Sequence, residues 1–275
     1  MIYYAVKKGG LSKVKVLVVS GSPHRDGLCV KLSREIIRGI KEAGGESELV
    51  ILAEKNIGPC LACNDPPCWR RMECNIKDDA LELGGKLNSS DALAFLSPVY
   101  FLSVNGLAKN FMDRMRYYGE NGKPALAVAV AGGTGKGCIL SLQEICRWLI
   151  MLGFRPIIPI PVTRYNLDIA FVEARMRGKR IAQLKPQPFS NLTEKISYYE
   201  SLPYMRYGLI DEIAFLAREA INSITRNGKP DLATEALQKL EKGEALLKLG
   251  KFEEGLELIT KAHEESMKIF NSLIR

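Results

Sequence analysis

Residues 14–27, VKVLVVSGSPHRDG, are the stretch that predicts the fold. The run from Val14 to Ser20 is largely apolar, which is typical of a strand buried on both faces of a sheet. It ends in the turn GSPHRDG, and a helical pattern follows from Leu28 to about Ala43. A buried strand followed by a loop and a helix is the repeating unit of α/β proteins with parallel sheets.

The same unit recurs along the chain. Further strand-like runs lie at 48–53, 91–97, 124–131 and 156–162. Helical patterns lie at 104–118, 139–152 and 169–184. The three prolines of the last strand-like run favour the edge of a sheet. We therefore expect an α/β fold, with an open, doubly wound, mostly parallel sheet of five strands and helices on both faces.

The break KPQPFS at 185–190 predicts the end of a sheet domain at 1–190, which includes a cysteine-rich loop at 54–78. Residues 191–275 have helical periodicity almost throughout and predict a C-terminal α-helical extension. We expect its helices near 198–226, 232–249 and 252–274. The last two resemble one tetratricopeptide helix pair. A single pair cannot bury its own apolar face, so the extension should dock on the sheet domain or on another subunit.

Composition excludes several classes of protein. The chain has 275 residues and 47% hydrophobic content, yet no run approaches the roughly 20 apolar residues of a membrane span. Residues 1–8 lack the pattern of a signal peptide, so we expect a cytoplasmic protein without a membrane partner. The net charge of +8 is uneven, because residues 1–190 hold 27 Lys and Arg against 17 Asp and Glu, whereas residues 191–275 hold 12 against 14. The positive residues of the first part are scattered, without the signatures of nucleic-acid binding. A small ligand that carries phosphate accounts for this charge, and we expect no nucleic-acid partner.

The loop after the first strand, SGSPHRDGLC at 20–29, is a candidate phosphate site. Its serines, glycines and helix start offer hydroxyl and amide donors to an anion. Pro23 and His24 stand where the dinucleotide motif G-x-G-x-x-G needs a glycine. The loop therefore favours a terminal monophosphate over a dinucleotide.

The loops after the third and fourth strands suit a flat ligand. SPVYFLSVNG at 97–106 puts a proline and two aromatic residues at the end of a strand, where a ring can pack on them. AGGTGKG at 131–137 resembles a Walker A loop, but Val130 and Gly137 occupy two of its required positions, which argues against ATP. Its glycines would allow backbone to approach a planar ligand closely.

Four of the seven cysteines, Cys60, Cys63, Cys68 and Cys74, lie in CLACNDPPCWRRMEC with the spacing C-x2-C-x4-C-x5-C. In a reducing compartment, clustered cysteines indicate metal binding or redox chemistry more than structural disulfides. Structural zinc usually uses two close pairs of ligands, and only one C-x2-C is present here. The spacing favours a [4Fe-4S] cluster, while zinc, free thiols and a disulfide stay open.

Three motifs, GSPHRDG, SPVYFLSVNGLAKNFMDR and AGGTGKG, each follow a strand in this order and resemble the flavodoxin-like NAD(P)H-dependent FMN reductase family. The cysteines ahead of Asp78 and Asp79 resemble its iron–sulfur flavoprotein branch. The resemblance covers about residues 14–184 and leaves out the extension. It implies a sheet in the order 2-1-3-4-5, non-covalently bound FMN, and a homo-oligomer, a dimer or tetramer, in which one subunit's cluster lies near another's flavin.

The resemblance also implies the site residues. The phosphate loop would use Ser20, Ser22, Pro23, Arg25 and Gly27; the isoalloxazine would lie beside Pro98, Val99, Tyr100 and Phe101; its other edge would meet Gly132, Gly133 and Thr134; and the cluster would use Cys60, Cys63, Cys68 and Cys74. Leu28 and Cys29 depart from the family, which usually has Asn-Thr there. This departure bears on how tightly FMN is held.

The flavin would carry the chemistry, and no side chain in the sequence is a convincing catalytic acid or base. Lys109, Asp113 and Arg114 lie on the helix after the third strand. Lys109 and Asp113 have the spacing of an i,i+4 salt bridge, and we interpret these charged residues as structural.

Three hypotheses about function follow. The first is an FMN-dependent oxidoreductase that exchanges electrons with a [4Fe-4S] cluster and with NAD(P)H or ferredoxin. The second is an NAD(P)H-dependent FMN or quinone reductase without a cluster, and the third is a non-enzymatic interaction protein that works through its helical extension.

Overall fold

The computed structural model of the chain describes residues 13–64, 66–69, 73–116 and 118–274. The expectation about residues 1–8 therefore lies outside the described residues. Within them, one sheet contains the strands β1 (Lys15–Ser20), β2 (Glu46–Ile51), β3 (Ala92–Tyr100), β4 (Ser103–Val104), β5 (Pro124–Ala131), β6 (Arg155–Pro156) and β7 (Ile160–Thr163).

The strand order confirms the predicted fold class. The sheet runs β2-β1-β3-β5-β6, and β7 also pairs with β5. All of these pairings are parallel; for example, Val19 lies between Val50 and Phe95. The predicted fifth strand is divided into β6 and β7, and with β5 counted fourth the order is 2-1-3-4-5. The short β4, which the sequence analysis did not predict, pairs antiparallel with the end of β3.

Helices cover both faces of the sheet, which explains why β1 is apolar at consecutive positions. Leu17 and Val19 face one core, to which the helices after β2, β3 and β5 contribute. Val16 and Val18 face the other core. The helices are α1 (Leu28–Glu42), α2 (Ala80–Ser89), α3 (Gly106–Arg114), α4 (Cys138–Leu152), α5 (Leu167–Ile181), α6 (Leu192–Ser201), α7 (Leu209–Arg226), α8 (Pro230–Lys248) and α9 (Phe252–Leu273), with short 3-10 helices at Leu52–Glu54 and Pro67–Trp69.

Two features of the helices differ from the sequence-based expectation. The helix α2, between the cysteines and β3, was not predicted. The expected single helix at 198–226 is wrong, because α6 ends at Ser201 and α7 begins at Leu209. Pro203 disfavours a helical conformation in the residue before it, and Tyr204 has a left-handed φ of 73°. None of the helices in the described ranges is both long and apolar enough to cross a membrane.

The extension docks on the sheet domain of its own chain, as one of the two predicted alternatives had it. Helices α7, α8 and α9 share a core, and Tyr165 from the loop after β7 enters it. The Tyr165 ring meets Phe270 of α9 edge to face, with 4.9 Å between ring centroids. Ahead of these helices, Tyr198 of α6 donates a hydrogen bond to the carbonyl of Pro156, at 2.7 Å. The domain boundary at residue 190 stays a prediction.

Candidate functional site

The three predicted ligand loops meet at one edge of the sheet, where β1, β3 and β5 end. The Gly21 amide donates to the Leu96 carbonyl at 2.7 Å, which joins the first loop to β3. A Cβ on Gly21 would lie 2.8 Å from the Ala108 Cβ, so the first loop also packs directly on α3. The second and third loops touch through Leu102 and Gly137. The edge is therefore one continuous surface built from backbone contacts.

The first loop has the donors that a phosphate needs. Ser20 is fully buried, and its Oγ has no hydrogen-bond partner among the described residues. Ser22 is also buried, and its Oγ accepts from the His24 amide at 3.1 Å. Pro23 and Arg25 are exposed at the rim of the loop. An unpartnered buried hydroxyl is costly without a ligand, so Ser20 favours a polar group bound beside it.

Three helices that begin at this edge differ in how their N-terminal amides are satisfied. The Asn105 side chain caps α3 and accepts from the Ala108 amide at 3.1 Å. Glu212 from α7 caps α4 and accepts from the Ile139 amide at 2.9 Å. No described side chain caps α1, which follows Gly27. Free amides and the helix dipole make an N-terminus an anion site, so α1 is the helix that can receive a phosphate.

The departure at Leu28 and Cys29 has a structural explanation. Cys29 is 2% exposed and packs in the core beneath β1, and Leu28 packs against the same core. Burial raises the pKa of the Cys29 thiol to about 12, although a backbone hydrogen bond opposes this. These side chains contribute apolar packing rather than donors. Donors for a phosphate in this loop are therefore the backbone amides, the serine hydroxyls and Arg25.

The second loop is an exposed apolar hairpin tip. Val99 pairs with Val104, and Tyr100 pairs with Ser103. The two residues between these pairs, Phe101 and Leu102, both have left-handed φ, 50° and 71°. Phe101 is fully exposed and Tyr100 is 47% exposed, so neither is a core aromatic. Bulky residues rarely adopt this conformation, which costs about 1 kcal/mol or more each, and such strain is found mainly at functional sites.

The third loop is open on one side and closed on the other. Gly132, Gly133 and Thr134 are exposed. A Cβ on Gly132 or Gly133 would meet no described atom within 4 Å. At Gly137, where φ is 85°, a Cβ would overlap the Leu102 backbone and lie 2.9 Å from Val99 Cγ1. The loop therefore offers open backbone to a ligand near 132–134 and is fixed to the second loop at Gly137.

The four clustered cysteines line one cavity of about 310 Å³. Cys60 is exposed and the other three, Cys63, Cys68 and Cys74, are partly buried. None of the four is in a disulfide. In the described part of the chain, no three Cys, His, Asp or Glu side chains converge closely enough to hold a single metal ion. The thiols thus share a cavity but do not point at one atom.

A buried ion pair joins the cysteine loop to α3. The two terminal nitrogens of Arg114 donate to the Asp78 carboxylate at 2.8 and 2.9 Å, and both side chains are at most 4% exposed. The same carboxylate accepts from the Gly58 amide at 2.9 Å and the Ala80 amide at 3.1 Å. Arg114 also donates to Cys74 Sγ at 3.4 Å. The pair therefore fixes both ends of the cysteine loop.

The environment of Asp78 favours its charged form. Burial alone would raise the pKa of this carboxyl, but the hydrogen bonds from Arg114, Gly58 and Ala80 outweigh it and hold the pKa below its usual value. This pair was not predicted from the sequence, because Asp78 and Arg114 are 36 residues apart. The Lys109–Asp113 salt bridge was predicted correctly and lies exposed on α3.

Helix α3 sets the separation between the two candidate sites. Its first turn follows the second loop, and its last residue, Arg114, contacts Cys74. Nine residues of α-helix span about 13 Å. Within one chain, the cysteine cavity and the loops at the sheet edge therefore lie at opposite ends of α3, about 13 Å apart along the helix.

Comparison with known proteins matches residues 14–159 to the model of a family described as NADPH-dependent FMN reductase. An iron–sulfur flavoprotein of Methanocaldococcus jannaschii is 31% identical over 189 residues, which are 62% of this chain and 97% of that protein. A second iron–sulfur flavoprotein of the same organism is 30% identical and covers 70% of this chain and 99% of its own length. One from Archaeoglobus fulgidus is 32% identical over 148 residues, 52% of this chain and 74% of that protein.

Proposed function

The chain belongs to the NADPH-dependent FMN reductase family, in its iron–sulfur flavoprotein branch, and from this premise we propose that it passes electrons between FMN, a [4Fe-4S] cluster and an external donor. Family membership makes it a flavin-dependent oxidoreductase rather than a purely structural interaction protein. We assign FMN to the sheet edge, the cluster to the four clustered cysteines, and the role of donor to NAD(P)H or ferredoxin.

The observation that carries the FMN assignment is the pairing of Ser20 with the uncapped start of α1. The buried Ser20 Oγ lacks a partner among the described residues, and the first amides of α1 lack a capping side chain there. A terminal phosphate would accept from both, with Ser22 and Arg25 completing the loop. Gly27 precedes the helix without a side chain that would compete for these amides.

The isoalloxazine would lie between the second and third loops. Pro98, Val99, Tyr100 and Phe101 offer an apolar wall, and Gly132, Gly133 and Thr134 offer open backbone on the other side. When bound, the isoalloxazine accepts a hydride or single electrons, and a cluster exchanges one electron at a time. The work of this chain's residues is to hold the ring, orient it and exclude water from one of its faces.

The cysteine spacing and the relatives support a cluster over zinc. Structural zinc usually uses two close pairs of ligands, and only one C-x2-C is present, while the relatives of this chain are named iron–sulfur flavoproteins. Cys60, Cys63, Cys68 and Cys74 line one cavity, as the four ligands of one cluster must. The Arg114 guanidinium beside Cys74 would stabilise a ligating thiolate.

We further propose that the protein works as a homo-oligomer in which a second subunit covers the hairpin tip. Phe101 is fully exposed, and Tyr100 and Leu102 are each 47% exposed beside it. Light scattering of the wild type should give a dimer or tetramer, and Phe101→Asp should dissociate it. A monomeric wild type would contradict this part of the proposal.

Anaerobic purification followed by an absorption spectrum and iron and sulfide analysis tests the main proposal. We expect flavin peaks over a broad brown absorption, with about four irons per chain. Cys63→Ser should lose the iron, while Cys146→Ser, in the buried core, should keep it. Flavin without iron in the wild type would favour the reductase without a cluster instead.

FMN affinity tests the phosphate site separately. Ser20→Ala should weaken FMN binding about tenfold, the loss of one hydrogen bond to a charged group, without destabilising the protein. Ser33→Ala is the matched control, since Ser33 is a buried serine of α1 whose Oγ already bonds to the Cys29 carbonyl. Equal FMN affinity of the Ser20 variant and the wild type would contradict the assignment of the phosphate.

A further inference from the structure

The loops at 20–29, 97–106 and 131–137 form the edge of the sheet to which we assign FMN, the flavin edge. Helix α7 lies outside the residues that the family model matches, yet it contacts the third of these loops and the start of α4. We propose that the helical extension is part of the flavin site and that Glu212 and Leu216 of α7 are positioning residues for the third loop and thus for FMN. This inference rests on the proposed function, because it assigns the extension a role in FMN binding.

Glu212 makes the first contact. Its side chain is 1% exposed, and its carboxylate accepts from the Ile139 amide at 2.9 Å in the first turn of α4. An acidic side chain at a helix N-terminus satisfies free amides and is favoured by the helix dipole. Because α4 begins directly after residues 131–137, fixing its first turn also fixes the end of the third loop.

Leu216, one turn further along α7, makes the second contact. It is fully buried, and a Cβ on Gly135 would lie 2.5 Å from its Cδ2. The leucine therefore packs directly on the backbone of the third loop at Gly135, whereas positions 132–134 stay exposed. The loop has no room to move toward α7 at Gly135.

The connection between α6 and α7 makes the third contact. Gln143 of α4 is 8% exposed, and its side-chain amide donates to the carbonyls of Tyr204 at 2.9 Å and Tyr207 at 2.8 Å. The next residue of α4, Glu144, accepts from Ser103 Oγ in the second loop at 2.7 Å. Helix α4 therefore contacts both the extension and the second loop, and it directly follows the third loop. Any shift of the extension would move the helix that holds both loops facing the isoalloxazine.

This arrangement pre-organises the flavin edge. A loop held in its binding conformation loses less conformational entropy when a ligand binds, so affinity rises without any new contact to the ligand. The extension makes that contribution through its contacts with Gly135 and with the first turn of α4. Removing the contacts of Glu212 and Leu216 should therefore weaken FMN binding in a protein that is still folded.

The test measures FMN affinity of full-length variants by quenching of flavin fluorescence. Glu212→Ala and Leu216→Ala should each bind FMN about tenfold more weakly than the wild type, and Glu212→Gln, which keeps an acceptor oxygen for the Ile139 amide, should restore most of the affinity. Leu240→Ala is the matched control, because Leu240 is fully buried in the core of the extension but belongs to α8. It should reduce thermal stability and leave FMN affinity unchanged.

Hydrogen exchange of the apoprotein is the second readout. Glu212→Ala and the milder Leu216→Val should accelerate amide exchange in residues 131–139, and Leu240→Ala should not. Unchanged FMN affinity in folded Glu212 and Leu216 variants would overturn the inference and leave the extension with a structural role alone. A wild type that binds no FMN would instead overturn the proposed function, and the inference with it.

Discussion

The two candidate sites of this protein are built in opposite ways. At the flavin edge, loops pack backbone against backbone, as Gly21 does on β3 and Gly137 does on the second loop. Helix α7 packs on the third loop at Gly135 and caps α4. The cysteine loop has no regular secondary structure from 58 to 63, and Cys60 is exposed. It is attached to the domain by side chains, among which only the pair of Asp78 and Arg114 is a buried salt bridge in the described part of the chain.

This difference shows what each site depends on. The geometry of the flavin edge follows from the order of the strands, because parallel strands place their following loops side by side. The cysteine loop is held by a few side chains: the ion pair with its hydrogen bonds, and Asn110 and Tyr118, which donate to the carbonyls of Ile57 and Cys68. A single substitution should therefore disturb the cysteine loop more easily than the flavin edge, except where backbone contacts leave no room for a side chain.

The largest effect is expected when the ion pair loses one partner. Asp78→Asn leaves the Arg114 charge buried without a carboxylate, which should lower the free energy of unfolding by roughly 3 to 5 kcal/mol. Urea denaturation measures the change. The double variant Asp78→Asn/Arg114→Met should recover part of the loss, because it removes both charges. A single variant as stable as the wild type would show that the pair does not anchor the loop.

The second effect separates closed from open positions within the flavin edge. Gly137→Ala should cost roughly 3 kcal/mol, because its left-handed φ and the nearby Leu102 backbone both oppose a Cβ. Gly132→Ala should leave thermal stability unchanged, since a Cβ there meets no described atom within 4 Å, yet it should weaken FMN binding. Equal melting temperatures for the two variants would contradict the difference in packing.

The third effect is a pH dependence of the stability that Asp78 gives to the protein through the cysteine loop. The folded protein holds the pKa of Asp78 below its usual value, which is near 3.9 in unfolded chains. The stabilisation by its charged form is therefore complete above that value and is lost as pH falls through the lower, folded pKa. The stability difference between the wild type and Asp78→Asn should be constant from about pH 8 to pH 5 and shrink below about pH 4.

Urea midpoints of both proteins across this pH range provide the measurement. Comparing the two proteins removes the contribution of other carboxyls, such as Glu194, whose pKa hydrogen bonds from Ser190 and Arg155 lower to about 2. A difference that does not change between pH 7 and pH 3 would mean that the charge of Asp78 is not what stabilises the loop.

The smallest effect is expected for the exposed salt bridge on the same helix. Lys109→Ala removes the partner of Asp113, and both side chains are more than 40% exposed. Exposed pairs contribute little, so the free energy of unfolding should change by less than about 0.5 kcal/mol, with iron and FMN contents unchanged. A loss comparable to that of Asp78→Asn would remove the distinction between the buried and the exposed pair.

The amino-acid sequence alone suffices to predict the sheet and the place of the flavin edge. The apolar runs reveal strands buried on both faces, and the loops that follow them must meet at the carboxyl edge, whichever partners their side chains find. The resemblance over residues 14–184 then identified the family. Local signals also sufficed for the Lys109–Asp113 pair, since it forms within one helix turn.

The groups that complete the two sites become visible only in the folded protein. Glu212 caps α4 from 73 residues away, and Arg114 pairs with Asp78 rather than with its helix neighbours. Of the three helices α1, α3 and α4, only α1 begins without a cap from a described side chain, and this too is visible only in the structure. Sequence periodicity reports which face of an element is buried. The partner of a buried polar group depends on how distant elements pack, and that information is not local.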